Sequence, residues 1–324
     1  MTMAKNSTKV HTRENYGLKE GAEGFPLMVV LSFVYVCNAQ CPNCPYNNSE
    51  IRSTYKDAMV MPRELFKRIA DECGIHGAYL RISGGGEPML HPEAVSLLKY
   101  AKERGARIGL ITNGSRFNRE NLYELISAQV DVLEFSVDAG DKETYQRVRP
   151  GLDWRRLNEN ANLAVRIRDD CKSGTRIIAS IINQKNVDVE GAESYWAKIV
   201  DKVQIRKYLT WGYNQDESGD SAPYLPPGER IPCPWLFERL NVDSRGDVTL
   251  CGEDIAFKER FANVMERSIK DIWQGTEFRY FREKHLSGQG DEIPICSRCP
   301  DWQYRSWQYN YWKVLKDAGK ANRD

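Results

Sequence analysis

The hydrophobic pattern between residues 27 and 208 alternates between the period of a β-strand and that of an α-helix. Strands that alternate with helices of about 10 to 15 residues form βαβ units, whose strands lie parallel in one sheet. The sequence therefore predicts an α/β fold, built either as a doubly wound sheet or as an open, partial barrel. The predicted strands are residues 27–36, 78–83, 107–112, 132–137, 176–182 and 203–208, and the predicted helices are residues 62–73, 93–102, 118–126, 153–168 and 193–200.

Composition and charge narrow the class of protein. The 324 residues include 46 Lys and Arg against 45 Asp and Glu, whereas a general DNA binder carries a basic excess. The longest apolar run, residues 27–36, is too short for a membrane helix, which needs about 20 residues. The N-terminus lacks the apolar segment of a secretory signal. These features predict a cytoplasmic enzyme that binds neither DNA nor a membrane.

The chain divides into two predicted domains. Residues 1–26 form a polar N-terminal extension, and residues 27–208 form the α/β domain. Residues 209–232 are rich in Gly, Asp, Ser and Pro and are a predicted linker. Residues 233–324 form a smaller domain that carries cysteines and ends in a predicted helix with many aromatic side chains.

Three cysteines follow the first predicted strand in a short loop. In a cytosolic chain, clustered cysteines indicate metal ligation before disulfides. Cys37, Cys41 and Cys44 are separated by three and then two residues. Three thiolates can hold three irons of a cubane cluster and leave the fourth iron open to a substrate or cofactor. The alternative is a zinc site completed by a distant ligand, although zinc more often takes paired two-residue spacings.

Polar and glycine residues follow the second predicted strand, at the sheet edge where parallel α/β domains bind ligands. The segment from residue 83 to 88 reads Ser-Gly-Gly-Gly-Glu-Pro. Glycines allow the backbone to approach a ligand closely, and a tight turn is the alternative. Candidate ligand contacts here are Ser83, Gly85, Gly86 and Glu87.

Further polar residues end the later predicted strands. Asn113 follows the third strand, Ser136 and Asp138 end the fourth, and Asn183 follows the fifth. For the third and fourth strands the alternative is an Asn-Gly turn or a helix cap. Arg206 lies in the sixth strand and can face a carboxylate of a ligand or form a structural ion pair.

A second cysteine group lies in the C-terminal domain. Cys233 and Cys251 flank a predicted hairpin that turns near Gly246, and Cys296 and Cys299 follow later in the chain. Four thiolates fill every iron of a cubane, which gives a closed cluster. A zinc ribbon would use the same four ligands, and the spacing alone does not separate the two.

The segment CNAQCPNC, together with Gly-Gly-Glu-Pro one βα unit later, resembles the signature of the radical S-adenosylmethionine (SAM) superfamily. The resemblance implies a partial (β/α)6 barrel and a [4Fe-4S] cluster whose unique iron is chelated by the amino and carboxylate groups of SAM. The reduced cluster cleaves SAM to a 5′-deoxyadenosyl radical, which abstracts a substrate hydrogen. Asn43 stands where the family has an aromatic residue between the last two cysteines.

The resemblance also implies roles for the strand-end residues. Gly85, Gly86 and Glu87 would bind the SAM amino group, and Ser136 and Asp138 would contact the ribose. Ser83, Asn113 and Asn183 would lie beside SAM, and Arg206 would face a carboxylate of SAM or substrate.

The C-terminal segment resembles the twitch domain, a short form of the SPASM auxiliary-cluster domain. Its motif Cys-x12-Gly-x4-Cys matches Cys233, Gly246 and Cys251. No cysteine follows Cys299. The resemblance therefore implies two [4Fe-4S] clusters in total, with SAM as the other cofactor.

The resemblance leads us to expect a radical SAM enzyme that dehydrogenates a small polar substrate, such as a sugar, aminocyclitol or nucleotide sugar, in natural-product or cell-surface biosynthesis. An electron donor such as flavodoxin or ferredoxin would be its protein partner. The alternatives are a maturase that epimerises or crosslinks a ribosomally made peptide, a redox-neutral sugar epimerase or deoxygenase, and a zinc scaffold without catalysis. The N-terminal extension, at 26 residues, is short for a winged-helix peptide-recognition domain, which favours the small substrate.

Overall fold

The computed structural model describes residues 22–57, 59–209, 211, 232–257 and 259–299. Within these ranges the strands form one nine-stranded sheet, in the order β6-β5-β4-β3-β2-β1-β7-β8-β9. The predicted linker and the C-terminal aromatic segment lie almost wholly outside the described residues. The strands are β1 (Met28–Leu31), β2 (Tyr79–Ile82), β3 (Arg107–Thr112), β4 (Val132–Ser136), β5 (Arg176–Asn183), β6 (Lys202–Lys207), β7 (Arg239–Val242), β8 (Asp247–Thr249) and β9 (Arg260–Asn263).

The six predicted strands are all present and pair in parallel, so the predicted α/β partial barrel is confirmed. β7 then pairs in parallel with the free edge of β1, and β8 and β9 follow antiparallel to it. The C-terminal segment therefore continues the barrel sheet. Gly246, with φ +88°, makes the turn of the predicted hairpin between β7 and β8.

The helices connect the strands and cover the outer face of the sheet. α3 buries Leu97 and Leu98 together with Ala94 and Ala101, as its predicted stripe requires. Burial of each leucine contributes about 1.5–3 kcal/mol. The helices are α1 (Ser49–Thr54), α2 (Arg63–Ile75), α3 (Ala94–Glu103), α4 (Arg119–Ser127), α5 (Lys142–Val148), α6 (Trp154–Asp170), α7 (Val189–Trp196), α8 (Trp235–Glu238), α9 (Ile269–Trp273), α10 (Thr276–Leu286) and α11 (Pro294–Arg298).

Side-chain caps fix where several of these helices begin. Asn118 caps α4 in a reciprocal capping box with Asn121. The carboxylates of Asp141, Asp153 and Asp188 accept backbone N–H groups at the starts of α5, α6 and α7. Each cap satisfies N–H groups that the helix itself cannot bond. The caps therefore end the strand-to-helix loops at fixed positions.

The first strand is shorter than predicted. After β1 ends at Leu31, the N–H of Ser32 donates to Val242 O at 3.0 Å. The chain then leaves the sheet, and Val34 makes isolated bridges to Val60 and Gly85. This departure brings the start of the cysteine loop against the glycine segment that follows β2.

Alternate side chains of the parallel strands point to opposite faces of the sheet. Leu31, Leu80 and Leu133 pack into the core beneath the helices. The other face closes around a cavity. An apolar cluster on this face, here called the apolar floor, includes Val30 and Trp235, which line the cavity. Its other members are Met28, Tyr79, Val132 and Ile178. No helix among the described residues is long and apolar enough to cross a membrane.

Candidate cluster and cofactor site

A cavity of about 290 Å³ lies inside the barrel. Asn43 and Tyr46, from the first cysteine loop, line it together with Cys251 from the C-terminal segment. Ser83 and Ser136 also line its wall. The cavity therefore extends between two segments that carry predicted cluster ligands.

Backbone hydrogen bonds shape the first cysteine loop. The N–H of Cys44 donates to Cys41 O at 3.0 Å, and the side-chain amide of Asn47 donates to the same oxygen at 2.8 Å. From the other side, the N–H of Gln40 donates to Pro150 O at 3.0 Å. Cys37 is exposed, and Cys41 is buried. The segment after α5 thus holds the loop that carries the three thiols.

The cysteine loop supplies three thiols that could each ligate one iron of a cubane. Within the described part of the chain, no three His, Cys, Asp or Glu side chains are placed to hold one metal ion. A structural zinc needs four ligands around a single ion, whereas a cubane takes one thiolate on each iron. Burial raises the pKa of Cys37 and Cys41, and it raises that of Cys44 to about 12. Ligation at these positions therefore releases protons.

Two of the predicted glycines contact protein backbone. A Cβ atom on Gly85 would lie 2.3 Å from Val34 O, and one on Gly86 would lie 2.0 Å from Val36 O. The N–H of Glu87 also donates to Val36 O at 2.9 Å. These glycines allow the β2 loop to touch the backbone that leads into the cysteine loop. Gly84 is the glycine of this segment on the cavity wall.

Glu87 is buried and joins two strand ends. Its Oε1 accepts hydrogen bonds from Thr112 Oγ1 at 2.6 Å and from the N–H of Met89 at 3.1 Å. Its Oε2 accepts from the N–H of Asn113 at 2.7 Å. The Asn113 amide in turn donates to Asn38 Oδ1 in the cysteine loop, at 3.0 Å. Glu87 and Asn113 therefore brace the loop, and the Glu87 carboxylate makes at least three hydrogen bonds to protein groups.

Asp138 lies two residues after the end of β4 and has a left-handed conformation, with φ +50°. Its Oδ1 accepts from the N–H of Ile182 at 2.7 Å, and its Oδ2 pairs with Arg149 Nη2 at 2.6 Å. Arg149 Nη1 lies 3.9 Å from Cys41 Sγ. Both carboxylate oxygens of Asp138 thus bond to protein groups, and neighbouring Ser136 lies on the cavity wall. Sequence reasoning missed Arg149 because it did not predict α5.

Gln184 reaches the cysteine loop from the end of β5. Its Oε1 accepts from the Asn43 amide at 3.2 Å. Asn183, the predicted contact, is the last residue of β5 and is paired in register with Lys207. Asn43, at the position where the family has an aromatic residue, therefore forms an amide pair with Gln184.

Arg206 lies opposite a buried carboxylate in the barrel. Its Nε donates to Glu134 Oε1 at 3.0 Å, and its Nη2 donates to the same oxygen. Glu134 is completely buried. Burial alone would raise its pKa, but Arg206 and Arg81 together hold the pKa of Glu134 below its usual value. Glu134 is therefore ionised inside the cavity, and sequence reasoning missed it.

The second cysteine group comes from separate parts of the C-terminal segment. Cys233 precedes α8 and its N–H donates to His285 Nδ1 at 3.2 Å, while Cys251 follows β8. Cys296 lies in α11, and the N–H of Cys299 donates to Cys296 O at 3.2 Å. Cys233 and Cys251 pack against the apolar floor of the barrel.

Comparisons with known proteins agree with this arrangement. Residues 31–180 match the family model of the radical SAM superfamily, and residues 233–300 match that of an iron-sulfur cluster-binding domain, SPASM. The PqqA peptide cyclase of Xanthomonas oryzae pv. oryzae is 26% identical over 320 residues, which cover 86% of this chain and 82% of that protein.

Solved structures share the fold. The Streptococcus suis protein SuiB, bound to its precursor peptide SuiA, matches with a TM-score of 0.65 and 14% identity over 80% of this chain and 67% of its own. BtrN, in complex with AdoMet and 2-DOIA, matches with a TM-score of 0.56 and 19% identity over 84% of this chain and 92% of its own. The two matched domains imply SAM and more than one [4Fe-4S] cluster as cofactors. This chain is an enzyme of the radical SAM superfamily with a SPASM-type iron-sulfur domain.

Proposed function

We propose that this enzyme modifies a ribosomally made peptide by removing a hydrogen atom from one of its residues, and that a crosslink or another net oxidation follows. The observation that carries the proposal is the match to PqqA peptide cyclases, which extends over 86% of this chain. SuiB, whose fold is similar, was solved with a precursor peptide. These findings favour the peptide alternative over the small substrate that the sequence led us to expect.

We assign the first cysteine loop and the neighbouring strand ends to the binding of the first cluster and SAM, according to their positions. A reduced [4Fe-4S] cluster with SAM bound would supply the 5′-deoxyadenosyl radical that removes the substrate hydrogen. Cys37, Cys41 and Cys44 would hold that cluster. Gly84 and Ser136 lie on the cavity wall near the strand ends and would contact SAM through backbone and hydroxyl groups.

The substrate residue would enter the cavity above its apolar floor. Oε1 of Glu134 accepts hydrogen bonds from both Nε and Nη2 of Arg206, which hold the carboxylate in a fixed orientation. Among the described residues no group donates to its Oε2 with hydrogen-bond geometry, although the Ser180 hydroxyl is close enough to lower the pKa of Glu134. A buried carboxylate oxygen without a donor is costly, by about 1–3 kcal/mol. We therefore assign Oε2 to an N–H or O–H group of the substrate.

The proposed electron acceptor is the auxiliary cluster. After hydrogen abstraction, net oxidation requires the substrate to lose one electron and one proton. Cys251 lies on the cavity wall, so a cluster held by Cys233, Cys251, Cys296 and Cys299 would be adjacent to the substrate. Four thiolates leave that cluster no open iron for binding substrate, and accepting the electron is the chemistry that remains.

The test uses anaerobically reconstituted enzyme with SAM and dithionite. Peptides encoded by the short reading frames beside the gene are one arm, and a panel of sugars and aminocyclitols is the other. We expect a peptide to lose two hydrogen atoms by mass spectrometry while 5′-deoxyadenosine forms. The variant with Cys37, Cys41 and Cys44 all replaced by alanine is the control and should form neither product. Substrate-dependent turnover confined to the sugar and aminocyclitol arm would overturn the peptide proposal.

A small polar substrate is the second candidate, and the cavity lining favours it. Arg81, Glu134 and Arg206 give the wall fixed charges and hydrogen-bonding groups. A cavity of about 290 Å³ with such a wall suits a hydroxyl-rich or amine-bearing molecule. If the enzyme takes such a substrate, the sugar and aminocyclitol arm of the same assay would show turnover.

A further inference from the structure

We propose that Arg149 tunes the SAM-binding cluster, and that its guanidinium on the sulfur of Cys41 makes that cluster easier to reduce. The inference does not depend on which substrate the enzyme takes. It rests on the predicted ligation of iron by Cys41, which iron analysis tests separately.

The geometry places one guanidinium between a thiol and a carboxylate. Arg149 Nη1 lies 3.9 Å from Cys41 Sγ, and Nη2 lies 2.6 Å from Asp138 Oδ2. The side chains of Arg149 and Asp138 are only 12% and 2% exposed, so water screens the charges weakly. The other oxygen of Asp138 accepts from the N–H of Ile182 at 2.7 Å, which anchors the carboxylate. The positive charge is therefore held on the sulfur side of the ion pair.

The backbone around Arg149 fixes this orientation. The N–H of Arg149 donates to Tyr145 O at 2.8 Å at the end of α5. Pro150 O accepts from the N–H of Gln40, and a Cβ on Gly151 would lie 3.1 Å from Asn38 O. The three residues from 149 to 151 thus pack along the cysteine loop. Replacement of the Arg149 side chain leaves these backbone contacts available.

The physical consequence follows from charge. One-electron reduction makes a cluster and its thiolates more negative, and a nearby cation stabilises that state. A hydrogen bond to a ligand sulfur acts in the same direction. Asp138 opposes the effect from a greater distance, because the guanidinium lies between it and the sulfur. We therefore expect Arg149 to raise the reduction potential of the first cluster and leave the auxiliary cluster unaffected.

The experiment compares Arg149→Met, Arg149→Lys and Arg147→Gln in fully reconstituted enzyme. Arg147 is the matched control because it lies two residues earlier on α5 and is exposed, and it donates to Asn186 O at 2.8 Å. Iron is counted first, and the triple alanine variant of Cys37, Cys41 and Cys44 tests the ligand assignment by its loss of about four irons. Dithionite titrations followed by electron paramagnetic resonance then give the midpoint of each cluster. Added SAM identifies the cluster with the open iron, because only its signal changes.

We expect Arg149→Met to shift the reduction equilibrium of the SAM-binding cluster at least tenfold toward the oxidised state, which is 59 mV for one electron. Arg149→Lys should recover most of that shift because it keeps the charge, and Arg147→Gln should match the wild type. A wild-type midpoint in Arg149→Met at full iron content would overturn the proposal. Should Arg149→Met lose the first cluster, Arg149→Gln decides, because it removes the charge and keeps a hydrogen-bond donor: a shift of the midpoint toward the oxidised state supports the proposal, and a wild-type midpoint overturns it.

Discussion

Replacing Gly86 with alanine should disrupt the first cluster, although Gly86 is not a ligand. Its added Cβ would lie 2.0 Å from Val36 O, where ordinary contacts begin at 3.4 Å. The backbone must therefore move by about 1.4 Å. Val36 directly precedes Cys37, so the first thiol moves with it. A misplacement of about 1 Å in a reacting site can reduce the rate about 100-fold.

We expect reconstituted Gly86→Ala to bind about four irons fewer than wild type and to cleave SAM about 100-fold more slowly. The auxiliary cluster, whose predicted ligands lie in a separate segment, should remain. Iron analysis, absorbance of the clusters and the yield of 5′-deoxyadenosine measure these effects. A larger side chain at Gly85 would meet Val34 O and should likewise displace the backbone before the cysteine loop. A substitution there would therefore alter the first cluster together with SAM affinity.

Two other glycines provide matched controls. Gly24→Ala adds a Cβ with only the Gln274 amide nearby, at 3.9 Å, so it should behave as wild type. Gly77→Ala meets nothing within 4 Å but places alanine at φ +60°, which costs about 1–2 kcal/mol of backbone strain. Gly77→Ala should therefore lose stability and keep both clusters. Full iron content and wild-type SAM cleavage in Gly86→Ala would refute the argument that backbone contact at this glycine positions the thiols.

Three further predictions concern the cavity and the second cluster. Glu134→Gln should raise the KM for the substrate at least tenfold, because Oε2 loses its charge. The control variant Glu159→Gln, in an exposed ion pair with Arg155, should leave the KM unchanged. Equal KM values for the two variants would contradict the assignment of Oε2 to a substrate donor. Arg206→Met should destabilise the folded enzyme by up to about 3–5 kcal/mol near neutral pH, because the buried Glu134 carboxylate would keep only Arg81 as a nearby cation. The folded pKa of Glu134 is lowered, so the ionised carboxylate stabilises the fold above its unfolded pKa, and this stabilisation is lost as pH falls through the folded pKa. The difference in thermal midpoint between Arg206→Met and wild type should therefore shrink in acid. A difference that stays constant with pH would contradict this. Replacing Cys296 and Cys299 with alanine should remove about four irons and abolish oxidised product while 5′-deoxyadenosine still forms, and persistence of oxidised product would exclude the acceptor role.

The barrel was predictable because its signals are local. Each parallel strand is a short β-branched run, and each helix, such as α3 with Leu97 and Leu98, shows its own apolar stripe. The cysteine loop and the glycine segment after β2 were also visible, since their spacing and residue types carry the chemistry. The hairpin that turns at Gly246 was predicted from the same kind of local pattern.

The rest depends on contacts between distant residues. α5 has seven residues and little apolar periodicity, so its end, which carries Arg149, gave no local signal. Glu134 has an apolar neighbour on either side in a buried strand, and its charge is explained only by Arg206, 72 residues later, together with Arg81 on β2. The apposition of Gly86 with Val36 likewise requires the register of β1 and β2. The sequence could therefore identify Arg206 and Asp138 as polar residues at strand ends, but it could not predict the residues with which they form ion pairs.

The parallel pairing of β7 with β1 explains how two cysteine groups far apart in the chain can act on one substrate. β1 leads into the first cysteine loop, and β7 enters the hairpin that ends before Cys251. Because the two strands lie side by side and run in the same direction, the segments that follow them emerge at the same edge of the sheet. The cavity wall includes residues from both segments, among them Tyr46 and Cys251. A substrate radical formed beside the first loop would therefore be close to the proposed electron acceptor, and neither segment would have to move to bring them together.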